Sequence, residues 1–195
     1  MIERFFPDKE VRCVEDITVE VLREEKIKGL ILDIDNTLSE WKTDPSESVI
    51  AWLESLKKNG IKLCLVSNNR RSRVEVISKK LSINAVHGAI KPRRKAFLAA
   101  IRLMEIAPGE TAVVGDQVFT DIYGGNRLNM LTIYVNPIND KDGWLVRFKR
   151  PIERWILQHF RAQKFRLLEK RIIWKMRSGR RKLRNYETIK RKGKF

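Results

Sequence analysis

Leu30-Ile31-Leu32-Asp33-Ile34-Asp35-Asn36-Thr37-Leu38 is the stretch that decides how the rest of the chain is read. A short apolar run bounded by polar residues has the pattern of a strand buried in a parallel sheet. This run ends in two carboxylates two residues apart, followed by a threonine. Acids directly beyond a buried strand are costly unless they are paired, hydrogen-bonded or neutralised by a metal. Continued strand geometry would project Asp33 and Asp35 to the same side. Taken alone, the stretch fits an Asx-rich turn as well as it fits an acidic site.

A second stretch, Thr111-Ala112-Val113-Val114-Gly115-Asp116 followed by Thr120-Asp121, favours the site. It too reads as a buried strand delivering acids at its end, with Gly115 allowing a close turn. In an open α/β sheet, ligands sit beyond the carboxyl ends of the strands, where the strand order reverses. Two acidic strand ends meeting there make an oxygen-rich site suited to Mg2+. Leu63-Cys64-Leu65-Val66 ends in Ser67-Asn68-Asn69, adding hydroxyl and amide donors, and Lys91-Pro92 opens a helical segment with a cation. His87 and His159 are the only histidines, which leaves no credible Ser-His or His-metal arrangement.

DxDxT from Asp33, a strand ending in Ser67, Lys91, and GDxxxxD from Gly115 to Asp121 resemble, in that order, the four motifs of the haloacid dehalogenase (HAD) phosphatases. Each motif is weak alone, whereas the ordered set is specific. The finer resemblance is to the YqeG family. It rests on Phe5-Phe6-Pro7, the run from Gly29 to Leu38, Val66 to Asn69, Val114-Gly115-Asp116-Gln117 and Thr120 to Arg127, and covers roughly residues 1 to 160. The resemblance implies a HAD-like three-layer α/β sandwich with a mainly parallel sheet, its central strand between those of Ser67 and Asp116. It implies Asp33 as nucleophile, Asp35 as general acid and base, and Thr37 as a residue tuning the loop. Ser67 and Asn68 would bind phosphate, and Lys91 would offset its charge. Mg2+ would be held by Asp33, the Asp35 carbonyl and Asp116, with Asp121 auxiliary.

Around these motifs the chain alternates strands and helices, the pattern of an α/β fold. Thr18 is an expected cap for a short helix. Asp44-Pro45-Ser46-Glu47 predicts a helix start capped by Asp44, with Val49, Trp52, Leu53 and Leu56 inward and Gly60 at its close. Further helices are expected through Val74, Ile77 and Leu81, over 93–104 and over 121–128, with strands at 61–66, near 85–86, at 111–114 and at 131–135. The spacings from Asp35 to Ser67 and from Ser67 to Lys91 each hold one helix and one strand. Neither leaves room for the cap domain many HAD enzymes close over small substrates, so a large or membrane-held phosphate is favoured. Trp41 beside the site reads either as a gate or as loop packing.

The formal net charge is +17. From Arg147 onward there are 19 Lys or Arg against three Glu, so nearly all of it falls in the last quarter. Three segments are expected: a phosphatase domain over 1–146, a basic amphipathic helix over 147–176 and a polybasic, disordered tail over 177–195. Ile152, Trp155, Ile156 and Phe160 follow helical spacing, and the pattern drifts on through Phe165, Leu168, Ile172 and Met176. Such a segment suits an anionic membrane surface or, equally on charge, nucleic acid, while its first part, through about Phe160, reads equally well as packing on the domain. No stretch approaches the ~20 apolar residues of a membrane span, no secretory signal is legible, and Cys13 and Cys64 give no disulfide framework. A cytoplasmic protein, at most peripheral on the membrane, is expected. The YqeG family is similar to phosphatidylglycerophosphate phosphatases, which implies a lipid headgroup as substrate. The alternatives are a nucleotide or protein phosphatase, or an RNA- or ribosome-associated binding protein using the tail.

Overall fold

The computed structural model describes residues 2–41, 43–139 and 149–166. In chain order the elements are strand β1 (Lys9–Val11), helix α1 (Val19–Glu24), β2 (Gly29–Leu32), α2 (Glu47–Lys58), β3 (Lys62–Val66), α3 (Arg71–Leu81), β4 (Asn84–Val86), α4 (Arg94–Met104), β5 (Thr111–Gly115), α5 (Tyr123–Asn126) and β6 (Leu131–Val135). The six strands form one parallel sheet in the order β1-β6-β5-β2-β3-β4. The first strand of the site, β2, therefore lies between β3 and β5, as expected. From it the chain winds outward first through β3 and β4, then through β5 and β6. The order reverses beside β2, and the crevice this opens faces the carboxyl ends of the strands.

Both faces of the sheet are covered, and the central strands are accordingly apolar without interruption. Leu30, Leu32, Leu63, Leu65, Ala112 and Val114 point to one face. There they meet Val19 and Leu22 of α1, Val49, Leu53 and Leu56 of α2, and Val74, Ile77 and Leu81 of α3. The alternate residues Ile31, Cys64, Val66 and Val113 meet Phe97, Ala100, Ile101 and Met104 of α4 on the other. Phe97 is fully buried. A side chain of that size contributes ~1.5–3 kcal/mol when removed from water.

Several local expectations are revised. The cap of α2 is Ser46, whose hydroxyl accepts from the Val49 amide at 3.3 Å. Asp44 instead pairs with Lys80 across to α3 at 2.7 Å. The segment expected as a helix over 121–128 begins earlier, as a π-helical turn from Val118 to Ile122 that runs into the short α5. β1 was not anticipated: three residues, Lys9-Glu10-Val11, form an edge strand against β6.

Contacts divide the chain into two units, Met1–Ile156 and Leu157–Phe195. Residues 149–166 are helical. In the first unit Arg150, Glu153 and Ile156 are buried while Ile152 and Trp155 are half exposed, so the predicted apolar stripe does not form one inward face. In the second, the Lys164 ammonium lies 5.7 Å from the centroid of the Phe160 ring. The continuation of the stripe through Leu168, Ile172 and Met176, and the polybasic residues 177–195, lie outside the described residues. No helix among the described residues is long and apolar enough to cross a membrane.

Candidate active site

The site is assembled from four strand ends. In-register pairing of Leu32 with Leu65 and with Val114 brings the ends of β2, β3 and β5 level. The Asp33 amide donates to the Val114 carbonyl at 3.0 Å, which holds the first acid at the last rung of the ladder. The chain then turns back on itself. Ile34 accepts from the Leu38 and Ser39 amides at 2.9 and 3.2 Å, and the Asn36 amide donates to the Ser39 carbonyl at 2.7 Å. Asn36 sits at the bend with φ 59°, a left-handed conformation that asparagine tolerates better than most residues.

Asp33, Asp116 and Asp121 converge, with one carboxylate oxygen of each lying within 4.8 Å of the others. The convergence of Asp121 depends on Gly115, since a Cβ there would fall 2.4–2.6 Å from atoms of the Asp121 carboxylate arm. The π-helical turn feeds the same carboxylate back toward the strand end, where Asp121 Oδ2 accepts from the Gln117 amide at 3.3 Å. Turns of this kind often mark functional sites. Lys91 is 3% exposed at its side chain and bridges two of the acids, at 2.6 Å to Asp33 Oδ1 and 2.7 Å to Asp121 Oδ1. It is no surface lysine. Its own amide donates to Asn68 Oδ1 at 2.7 Å, which ties the β3 and β4 loops together.

Burial of this much negative charge has a cost. Removal from water pushes Asp116 up to about 8, with the Asp33 charge adding to the effect and Arg150 only partly opposing it. Asp121 is pushed up to about 6, chiefly by burial and against the pull of Lys91. For Lys91, burial acts to lower the pKa, but the charges of Asp121 and Asp33 outweigh it and hold the ammonium above its ordinary range. A divalent cation among the three acids would offset the same cost, and an all-oxygen donor set suits a hard cation.

The other expected residues are brought to the rim. Asp35 lies outside the carboxylate cluster, its side chain about a fifth exposed. Asn69 Nδ2 donates to its Oδ2, and Arg73 lies 3.7 Å from its Oδ1. Ser67 is buried, and its hydroxyl accepts from the Asn69 amide at 3.1 Å. Thr37 Oγ1 donates to Asp116 Oδ1 at 3.4 Å. Trp41 is 47% exposed, so it is not enclosed in the loop. Between Asp35 and Ser67 the elements are α2 and β3, and between Ser67 and Lys91 they are α3 and β4.

Three participants were not picked out from the sequence: Arg73, which lies against Asp35, Arg150 and Glu153. Asn69 was read as an amide donor, and it donates to Asp35. Arg150 and Glu153 fell in the basic amphipathic stretch read either as a membrane-facing segment or as packing on the domain, and neither was given a role in the site. In fact Arg150 pairs with Asp116, and Glu153 Oε1 accepts from the Phe119 amide at 3.3 Å. The i, i+3 spacing of an Arg and a Glu was the available signal, and it is common on solvated helices.

A family model described as a hydrolase, haloacid dehalogenase-like hydrolase, matches residues 39–129. The Bacillus subtilis (strain 168) protein called "Probable phosphatase YqeG" is 44% identical over 159 residues, 80% of this chain and 92% of its own length. A glyceraldehyde 3-phosphate phosphatase of Methanopyrus kandleri is 29% identical over 56% of this chain and 54% of its own. The chloroplastic/mitochondrial phosphatidylglycerophosphate phosphatase 1 of Arabidopsis thaliana is 26% identical over 79% of this chain and 47% of its own.

Proposed function

Because the chain belongs to the YqeG family of HAD-like phosphatases and is thus a phosphoric monoester hydrolase, we propose that the acidic cluster is its Mg2+-dependent catalytic centre and that its substrate is a lipid phosphate of the phosphatidylglycerophosphate type. The observation that carries the catalytic part is the convergence of Asp33, Asp116 and Asp121 around buried Lys91. Asp33, the Asp35 carbonyl and Asp116 would hold the metal, with Asp121 as an auxiliary ligand, and the chemistry supplied there would be screening of the phosphate charge and polarisation of the phosphoryl group.

The remaining steps belong to the side chains. Lys91 lies 2.6 Å from Asp33 Oδ1 and offsets the charge of the nucleophile and of the incoming phosphate. Asp33 forms the new O–P bond as the bond to the leaving oxygen breaks, giving an aspartyl-phosphate and an alkoxide. Asp35, held by Asn69 and Arg73 at the exposed rim, gives that alkoxide its proton. Asp35 then takes a proton from water, which attacks phosphorus and releases inorganic phosphate and Asp33. Ser67 and Asn68 hold phosphate oxygens, and Thr37 steadies Asp116.

The substrate reading draws on three supports. The Arabidopsis relative carries that substrate in its name. The two spacings flanking Ser67 hold no cap element among the described residues. Exposed Ile152 and Trp155, flanked by exposed Lys149 and Arg154, would contact an anionic membrane surface. Phosphate release from short-chain phosphatidylglycerophosphate, glyceraldehyde 3-phosphate, a nucleotide and a phosphopeptide tests the reading. The lipid should give the highest kcat/KM; a soluble phosphate well ahead of it would replace the lipid.

A further inference from the structure

We infer that Arg150, braced by Glu153, is a positioning residue for the metal-binding carboxylate of Asp116, so that the start of the C-terminal helix is part of the catalytic centre. Asp116 is wholly buried. The Arg150 guanidinium meets it twice, Nη1 donating to the backbone carbonyl at 2.8 Å and Nη2 to Oδ2 at 2.5 Å. A planar fork on two acceptors of one residue fixes the backbone and side chain of that residue together. Thr37 Oγ1 reaches the other carboxylate oxygen, Oδ1, from the β2 loop at 3.4 Å, so Asp116 is held from two sides.

The guanidinium is itself held. Glu153 Oε2 accepts from Arg150 Nη1 at 3.3 Å, and Glu153 Oε1 accepts from the Phe119 amide at 3.3 Å, inside the π-helical turn that carries Asp121. The Arg150–Glu153 pair therefore spans from one acid of the cluster to the turn that delivers another. Arg150 and Glu153 are 8% and 2% exposed, so neither is a surface ion pair. Partners that orient metal ligands in this way typically carry ~10–100-fold in metal affinity.

The inference rests on the metal reading above, and its test separates the two. Mn2+ binding, read by electron paramagnetic resonance, and Mg2+ binding, read by calorimetry, are measured on the full-length chain and on Arg150→Lys, Arg150→Met and Glu153→Gln. Arg150→Met should weaken metal about 10–100-fold. Arg150→Lys keeps the charge but loses the fork, and should recover only part of that loss. Glu153→Gln, which leaves Arg150 in place, should lose least and remains measurable if Arg150→Met does not fold. The rise in melting temperature on adding Mg2+ should shrink in the same order. A folded Arg150→Met with wild-type metal affinity, and melting lowered equally with and without Mg2+, would reduce the pair to a structural brace and overturn the inference. Absence of metal binding in the unaltered chain would overturn the metal reading and this inference with it.

Discussion

Two buried cations hold the acidic cluster, one in the strand-end loops and one at the start of the C-terminal helix, and they do it differently. Lys91 is a single point of charge lying between Asp33 and Asp121, and it neutralises two acids at once. Arg150 sets both terminal nitrogens on one residue, Asp116, with Nη1 shared with Glu153. A point charge bridging two acids can shift as phosphate arrives, which suits the nucleophile's side of the site. A fork fixes orientation, which suits a residue whose task is to hold still. On the proposed mechanism the cluster divides into a reacting half and an anchoring half, and that division can be attacked experimentally.

The largest effect should come from the reacting half. Asp33→Asn keeps the shape of the side chain but removes the nucleophilic charge, and turnover should fall by about 10^4 or more. Melting in EDTA should change little or rise, because one of several crowded charges is gone. Appreciable phosphatase activity in the purified variant would remove Asp33 from the role and erase the distinction between the halves.

Lys91→Met comes next. It leaves Asp33 and Asp121 buried without their shared cation, and kcat should drop by about 10^2–10^3. Breaking a buried pair from one side costs ~3–5 kcal/mol. The loss should be largest in EDTA and be recovered in part by Mg2+, since a bound cation replaces some of the missing charge. A loss of stability unaltered by Mg2+ would mean that the acids and the metal do not share one field.

A smaller effect is expected at Gly115. An alanine Cβ there would meet the Asp121 carboxylate arm at 2.4–2.6 Å, so the acid must move. Overpacking of this kind costs ~1–3 kcal/mol, and metal affinity should fall about tenfold. Calorimetry with Mg2+ reads both quantities, and a wild-type affinity would show that Asp121 is dispensable to the metal.

The sheet and the acids at its strand ends were legible in the sequence for a shared reason. Buried parallel strands read as unbroken apolar runs, and acids at their ends cannot pass for ordinary surface residues. Leu30 to Asp35 alone fitted an Asx-rich turn equally well, and only together with the second acidic strand end, Val113 to Asp116, did it read as a site. The anchoring half had no such contrast. Arg150 and Glu153 sit in a stretch rich in Lys and Arg, and only three-dimensional packing distinguishes Arg150, turned inward, from the exposed Lys149 and Arg154. β1 escaped for a related reason, since Lys9-Glu10-Val11 is short, polar and at an edge. Asp44 and Ser46 were both competent caps, and the choice went to Ser46 because Lys80 of α3 engages Asp44.

The smallest effect, a pH trend, sharpens the comparison between halves. Both Asp121 and Asp116 hold protons more tightly in the folded, metal-free chain than in the unfolded one, where an aspartate titrates near 3.9. Asp121, beside Lys91, is pushed up to about 6, and Asp116, against Arg150, to about 8. A raised folded-state pKa means that the folded form binds more protons between the two values. The stability these groups contribute is thus fully present below about pH 4 and is lost as pH rises toward about 8. Melting in EDTA should accordingly fall across that window. Metal binding runs the other way, because a carboxylate must release its proton to become a ligand. Apparent Mg2+ affinity should climb with pH, by at most about tenfold per unit for each proton displaced. Below about pH 6 both acids contribute and the climb is steep; from about 6 to 8 Asp116 alone remains, and above 8 the curve should flatten. Calorimetric titration of the unaltered chain at half-unit steps reads the slope directly. A curve already flat at pH 6 would show that Asp116 is ionised despite its burial, and that the fork of Arg150 neutralises it as completely as Lys91 serves its own pair.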